Sequence, residues 1–146
     1  MKLSNFKEIL ANAIDFKQNR FHPLVWINGE PKIGKNVHIG ALSEINATGN
    51  KIEIGDNCDI ASFVAINVAD SHKKCIDQSD EIERQPILIE NNVFIGSHSF
   101  IKGGAVIGHH SVVAAGTIVE GEKIEPYSLI FGNPMIVKKG YYRNKF

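Results

Sequence analysis

The stretch IENNVFIGSHSFIKGGAVIGHHSVVAAGTIV, from Ile89 to Val119, carries an isoleucine or valine at every sixth residue: Ile89, Ile95, Ile101, Ile107, Val113 and Val119. Neither the 3.6-residue turn of an α-helix nor the two-residue alternation of a half-buried strand has that period. A chain that wraps a triangular prism does have it, with one six-residue unit to a side and three units to a coil. The same beat runs earlier through Ile27, Ile33, Ile39 and Ile45, and again through Ile54, Ile60 and Ile66. Position one of each unit is expected to point inward and stack on its equivalent in the next coil, about 4.8 Å away. Position five is small or β-branched (Val37, Ser43, Cys58, Val64, Val93, Ser99, Ala105, Ser111, Thr117), as an inward site near a corner requires. Position two is often glycine, at Gly34, Gly40, Gly55, Gly96 and Gly108, which suits a sharp corner or a close backbone approach. The fold class predicted is an all-β parallel β-helix.

The ladder makes its interruptions visible. Extra residues between Ile45 and Ile54, around Thr48-Gly49-Asn50, read as a turn or small bulge at one corner. A larger gap, HKKCIDQSDEIERQ from His72 to Gln85, is polar and lacks the repeat. It reads as an extruded loop, and long loops in compact domains are often functional. Ahead of the ladder, Asn5 to Lys17 reads as a short amphipathic helix with Phe6, Ile9, Leu10, Ala13 and Phe16 on one face. A repeat array needs its end coils covered, so residues 1–20 are expected to form a cap, residues 21–139 the β-helix and residues 140–146 a tail. After Val119 the ladder is read as ending at Glu120-Gly121-Glu122, and the stretch from Met135 to Phe146 is expected to cover the far end as a last strand or short helix.

Composition narrows the partners. The 146 residues hold 16 basic and 16 acidic side chains, with 43% hydrophobic and 22% charged, so no basic excess points to nucleic acid or an anionic membrane. No stretch reaches transmembrane length, and the first twenty residues lack the apolar core of a signal peptide. A cytoplasmic location is expected. Cys58 and Cys75 have neither metal nor disulfide-framework spacing. Cys58, at a position-five site, is expected to be a buried free thiol and Cys75 an exposed one.

The repeats, the stretch ADSHKKCI at Ala69–Ile76 and GNPMIVKK at Gly132–Lys139 resemble the hexapeptide-repeat acyltransferases, nearest their galactoside, maltose and xenobiotic acetyltransferase branch. The likeness runs from about Ile33 to Lys139. It implies a left-handed β-helix, a homotrimer, and acetyl-CoA lying between two prisms, with the extruded loop of one subunit walling its neighbour's site. Left-handedness departs from the usual crossover rule and rests on the resemblance alone.

The resemblance also implies roles. His72 matches the family's general base, which an acceptor hydroxyl needs because it must lose its proton as it attacks the thioester. Asp70 could orient that imidazole or merely cap a turn. Ser97 matches a backbone N–H that meets the thioester oxygen, or is an ordinary repeat residue. Phe94 stands where relatives often carry Trp, keeping an aromatic wall without the indole N–H. Ala114, Ala115 and Gly116 match main-chain contacts to coenzyme A, and Pro134 a proline near the adenine. Lys138 and Lys139 match a basic position at the 3′-phosphate, or form a solvated tail. Ile136 departs from relatives that place Lys or Arg there. Ser43, Glu44, Asn46 and Asn67 are polar candidates for the acceptor, or ordinary outward repeat residues, and the loop charges from Lys73 to Arg84 contact a charged donor group or simply keep the loop soluble.

No metal is expected. The related γ-class carbonic anhydrases hold zinc with histidines five residues apart, a spacing absent among His22, His38, His72, His98, His109 and His110. Adjacent His109 and His110 are expected to diverge on an extended chain. The predicted function is acetyl-CoA-dependent transfer to a saccharide or nucleotide-linked sugar, by O-acetylation in surface glycan synthesis. N-acetylation of an amino-sugar nucleotide is the alternative, ahead of a metal-dependent hydratase or a non-catalytic scaffold.

Overall fold

The computed structural model describes residues 2–14 and 17–145. Three units make a coil and five coils make the prism. The first coil holds β1 (Trp26–Asn28), β2 (Lys32–Ile33) and β3 (His38–Ile39); the second holds β4 (Glu44–Asn46), β5 (Ile52–Ile54) and β6 (Asp59–Ile60). The third starts with β7 (Ala65–Asn67) and is interrupted by β8 (Ala69–Asp70), a one-turn helix (His72–Cys75) and β9 (Glu83–Arg84). It then resumes with β10 (Ile87–Ile89) and β11 (Phe94–Ile95). The fourth comprises β12 (Phe100–Lys102), β13 (Val106–Ile107) and β14 (Val112–Val113); the fifth comprises β15 (Ile118–Val119), β16 (Lys123–Ile124) and β17 (Leu129–Phe131). Strand β18 (Ile136–Lys138) ends the array.

Equivalent strands pair in parallel to give three faces: face I is β1-β4-β7-β12-β15, face II is β2-β5-β10-β13-β16, and face III is β3-β6-β11-β14-β17, with β18 added antiparallel. The position-one ladder lies inside. Ile45, Ile66, Ile101 and Val119 are in register on face I and are fully buried. Ile54, Ile89, Ile107 and Ile124 are likewise in register and buried on face II. Each buried isoleucine contributes on the order of 1.5–3 kcal/mol by leaving water.

The position-five residues tie coil to coil. The Ser43 hydroxyl donates to the Ala61 carbonyl (2.9 Å) and accepts the Val64 N–H (3.1 Å). Ser99 repeats this with Ala114 and Thr117, at 3.0 and 3.3 Å. These serines are buried without an orphan donor. At Gly108 an added Cβ would meet the Pro126 nitrogen of the next coil, so this glycine serves close approach rather than the bend. The bend falls at position four, where Asn36, Asn57, Asn92, His110 and Tyr127 at one corner are all left-handed.

The N-terminal helix spans Leu3–Ile14; Phe16 and Asp15 lie outside the described residues. None of its residues is buried, and Leu3, Ile9 and Ile14 are exposed. Lys7 Nζ donates to the Asn19 carbonyl beside the first coil (3.2 Å), yet Ile27, Ile33 and Val37 remain only partly buried. At the other end the tail forms a reversed strand, and Met135 and Val137 pack on the core.

Both cysteines are free, Cys58 buried and Cys75 exposed. Burial pushes the Cys58 thiol up, and its Sγ–H donates to the Glu90 carbonyl (3.1 Å). Titration of native protein with a thiol reagent is therefore expected to modify Cys75 alone, with Cys58 reacting only on unfolding. Fast modification of both would contradict this packing.

Candidate active site

Both interruptions of the ladder emerge where face I turns into face II, at corner I/II. Asparagine recurs at this corner: Asn28, Asn46 and Asn67 are in register. Asn46 Oδ1 accepts the Thr48 N–H (3.1 Å) and Asn67 Oδ1 the Ala69 N–H (2.9 Å), so each side chain starts a turn two residues on. From Asn67 the chain leaves the prism. β8 and β9 pair antiparallel, Ala69 with Arg84 and Asp70 with Glu83, so the predicted loop is an arm with a hairpin base. Lys73 Nζ and Glu83 Oε1, 2.6 Å apart, tie its helix to that base.

His72 opens the helix, at the end of which Ile76 is exposed. Its Nδ1 lies 2.6 Å from Asp70 Oδ1, which also accepts the His72 backbone N–H at 3.1 Å. The His72 side-chain hydrogen bond, then the backbone one, hold the Asp70 carboxyl below its ordinary value. An ionised carboxylate can only accept, so Nδ1 carries the proton and Nε2 of the neutral ring keeps its lone pair. The ring is more than half exposed. It stands at a cavity of about 470 Å³ that is also lined by Asn67, Glu83, Gln85, Phe100, Lys102 and Glu120. Lys102 and Glu120 form an ion pair at 3.2 Å across it.

Of the four acceptor candidates only Asn67 lines this cavity. Ser43 is corrected: it is fully buried, its hydroxyl committed to the adjacent coil. Glu44 and Asn46 sit on the second coil, whereas the cavity runs over coils three to five. Sequence reasoning missed Phe100, Lys102 and Glu120. A signal existed: position two at this corner reads Asn28, Asn46, Asn67, Lys102 and Glu120 and is never glycine, whereas on the other two faces half of these positions are glycine.

The cofactor candidates gather elsewhere, at corner III/I. Ser97, Ala114–Gly116 and Gly132–Pro134 belong to the turns of coils three, four and five. The Gly116 N–H donates to the Ser97 carbonyl (2.9 Å) and the Ile118 N–H to the Gly132 carbonyl (3.3 Å). Ala115 and Gly116 are exposed, and an added Cβ at Gly116 would meet nothing within 4 Å, so main chain is open to a ligand here. Phe94 is exposed on the outside of face III. Lys138 Nζ lies over the Phe131 and Tyr141 rings, 5.6 Å from each centroid, and Lys139 follows it, exposed. On one chain, then, His72 and Ser97 stand at different corners, separated by face I.

Outside the arm, His38 Nδ1 lies 3.0 Å from Asp59 Oδ1 on the outside of face III and His22 Nδ1 accepts the Leu24 N–H, while the other histidines meet aromatic rings. His98 lies flat on Phe63, centroids 4.9 Å apart. The expectation that His109 and His110 diverge is corrected: their Nδ1 atoms are 3.0 Å apart, because His110 has φ +56° and the chain bends there instead of extending. Among the described residues, no three His, Cys, Asp or Glu side chains are grouped to hold a metal. A larger cavity of about 630 Å³ lies along face II beside His109 and His110. It lacks an imidazole held by a carboxylate, so volume alone does not mark the site.

Residues 86–121 match the family described as bacterial transferase hexapeptide (six repeats), and residues 32–67 the hexapeptide repeat of succinyl-transferase. Both matches are thus to hexapeptide-repeat transferases, one on either side of the arm. A galactoside acetyltransferase solved in complex with coenzyme A is 32% identical over 83% of this chain and 66% of its own, with a TM-score of 0.60. The polySia-specific acetyltransferase NeuO is 25% identical over 79% of this chain and 60% of its own, TM-score 0.65. AntD, an N-acyltransferase from Bacillus cereus, shares the fold at TM-score 0.73, with 23% identity over 85% of this chain and 70% of its own. This hexapeptide-repeat chain thus spans just under two thirds of the galactoside enzyme's length. No curated protein matches it. No helix among the described residues is long and apolar enough to cross a membrane.

Proposed function

We propose that this protein is an acetyl-CoA-dependent O-acetyltransferase of saccharides, working in the cytoplasm on precursors of a surface glycan. The observation that carries the reading is the His72 imidazole, pinned through Nδ1 by Asp70 with Nε2 free beside a cavity. Two relatives at 25% identity or more are an acetyltransferase of galactosides and one specific for polySia, which supports a saccharide acceptor.

In this mechanism His72 Nε2 takes the proton of the acceptor hydroxyl as its oxygen attacks the thioester carbonyl. The tetrahedral oxyanion receives the Ser97 backbone N–H. Collapse breaks the carbon–sulfur bond, and the leaving thiolate takes the proton from the imidazolium. No acyl-enzyme forms, and exposed Cys75 is not a nucleophile. Ser97, the Ala114–Gly116 main chain, Phe94 and Pro134 hold the donor, and Lys138 and Lys139 meet its phosphate. Because His72 and these groups occupy different corners of one prism, a neighbouring copy supplies the second set, in a homotrimer. The acceptor occupies the cavity of Asn67, Phe100, Lys102 and Glu120, where a sugar ring finds one apolar wall and a paired cation and carboxylate for its hydroxyls.

The test is a panel of galactosides, sialosides and amino-sugar nucleotides with acetyl-CoA, followed by thiol release. Turnover with a hydroxyl acceptor is expected, together with a raised melting temperature in coenzyme A. Turnover confined to the amino sugars would replace O- by N-acetylation. Absence of both turnover and stabilisation would sink the proposal.

A further inference from the structure

The bulge at Thr48-Gly49-Asn50 interrupts the second coil at the corner from which, one coil later, the arm departs. It meets the arm at Arg84, through both the side chain and the main chain of that residue. Arg84 Nε donates to the Thr48 carbonyl (3.1 Å), and Asn50 Nδ2 donates to the Arg84 carbonyl (3.1 Å). Gly49, left-handed at φ +80°, lies under the arginine: a Cβ there would sit 2.6 Å from Arg84 Cδ and Nε. The Asn50 Oδ1 accepts the Lys51 N–H (2.8 Å), which fixes the amide that grips Arg84. The arginine side chain thus takes the Thr48 carbonyl and the space left by the missing side chain at Gly49, while the Asn50 carboxamide holds the Arg84 main chain.

The line from Arg84 to the imidazole is short. Arg84 pairs with Ala69, and its neighbour Glu83 with Asp70, the residue that holds His72 Nδ1. Gln85 N–H donates to the Val68 carbonyl (3.0 Å), closing the base from the other side. The rest of the arm is exposed or at most half-buried, so it has little packing of its own to set its angle on the prism.

We propose that Arg84, seated in the Thr48-Gly49-Asn50 cradle, is a positioning residue that fixes Asp70 and, through it, His72 relative to the acceptor cavity. This rests on the function proposed above for His72. It also gives the bulge a purpose: the second coil is lengthened in order to brace the third.

The experiment compares Arg84→Ala and Arg84→Lys, each alone and with His72→Ala, using acetyl-CoA and methyl β-galactoside. Hydrogen exchange of the His72 amide is measured alongside. Arg84→Ala is expected to lower kcat about tenfold with the KM for acetyl-CoA within about twofold, since misplacement of a catalytic group acts on turnover. It should add nothing once His72 is absent. Arg84→Lys, which keeps a donor for the Thr48 carbonyl, should recover part of the loss. His72 amide protection should fall about tenfold in Arg84→Ala while the amides of Ile95 and Ile101 keep theirs. Wild-type kcat in Arg84→Ala beside a dead His72→Ala would overturn the brace and leave the function standing. Equal losses with and without His72 would also overturn it. Exchange needs no acceptor: unchanged His72 protection overturns the brace even if the galactoside is not turned over, an outcome that would instead count against the proposed function.

Discussion

Replacing His72 with alanine is expected to lower kcat by ~10²–10⁴, the usual contribution of a positioned general base, with no fall in melting temperature. The two halves of that expectation come from different features. The ring is more than half exposed and makes no core contact, and its side chain is held by Asp70, so its removal leaves no cavity. Its loss leaves the acceptor hydroxyl with no group to take its proton. Asp70→Asn is expected to lose less, because the backbone still presents the ring; the asparagine amide, however, can turn its NH₂ toward Nδ1 and favour the tautomer that protonates Nε2. The acid side of the pH–rate profile separates the two. Asp70 is held below its ordinary value of 3.8 by His72, so the carboxylate stays ionised through the range in which imidazoles titrate. A loss of activity that comes from Asp70 therefore sets in only below the usual carboxylate range, where its protonation releases the hydrogen bond that fixes the ring. A His72→Ala protein that keeps near-wild-type turnover, assayed with coenzyme A binding intact, would remove the general base from the mechanism.

The prism was legible because its energetics are those of the repeat itself. A branched aliphatic every sixth residue is what stacking demands, and Ile89, Ile95, Ile101 and Ile107 are all fully buried. The arm was legible because it breaks that demand. What lay hidden depends on which corner a residue occupies. Lys102 and Glu120 look like repeat irregularities until coils four and five are stacked above Asn67. Ser43 was legible as an inward position-five residue, and its candidacy fails because the hydroxyl is spent on the Ala61 carbonyl and the Val64 N–H. His109 and His110 look divergent until the left-handed turn at His110 folds their rings together. The proposed donor half has a weaker trace still, because main-chain contacts of the kind proposed at Ala114–Gly116 ask only for small residues, which this fold places at its corners anyway. Separation of His72 from Ser97 by a whole face is a property of the coil count and not of any residue, and it is the reason the proposed mechanism calls on a second copy.

Stacking also predicts how stability is distributed along the prism. Ile27, Ile45, Ile66 and Ile101 are in register in one column of face I. Ile66 has an isoleucine above and below it and is fully buried; Ile27 begins the column, has Ile45 on one side only, and is partly exposed. Ile66→Ala is therefore expected to cost about 2–5 kcal/mol, the transfer term plus the cavity left between two coils that cannot collapse toward each other. Ile27→Ala removes the same atoms but leaves a space that solvent and the adjoining chain can fill, so its loss should fall below about 2 kcal/mol. The check is urea unfolding of both variants at one fixed protein concentration, since subunit association would otherwise shift the midpoints. Because each coil contacts only its neighbours, the Ile66 lesion lies in the middle of the array and should lower the midpoint of a single transition. The Ile27 lesion should fray the first coil ahead of the rest, lowering m as well. Equal losses at the two positions would mean that the N-terminal helix seals the first coil as tightly as a coil seals its neighbour, contrary to the exposure of Leu3, Ile9 and Ile14.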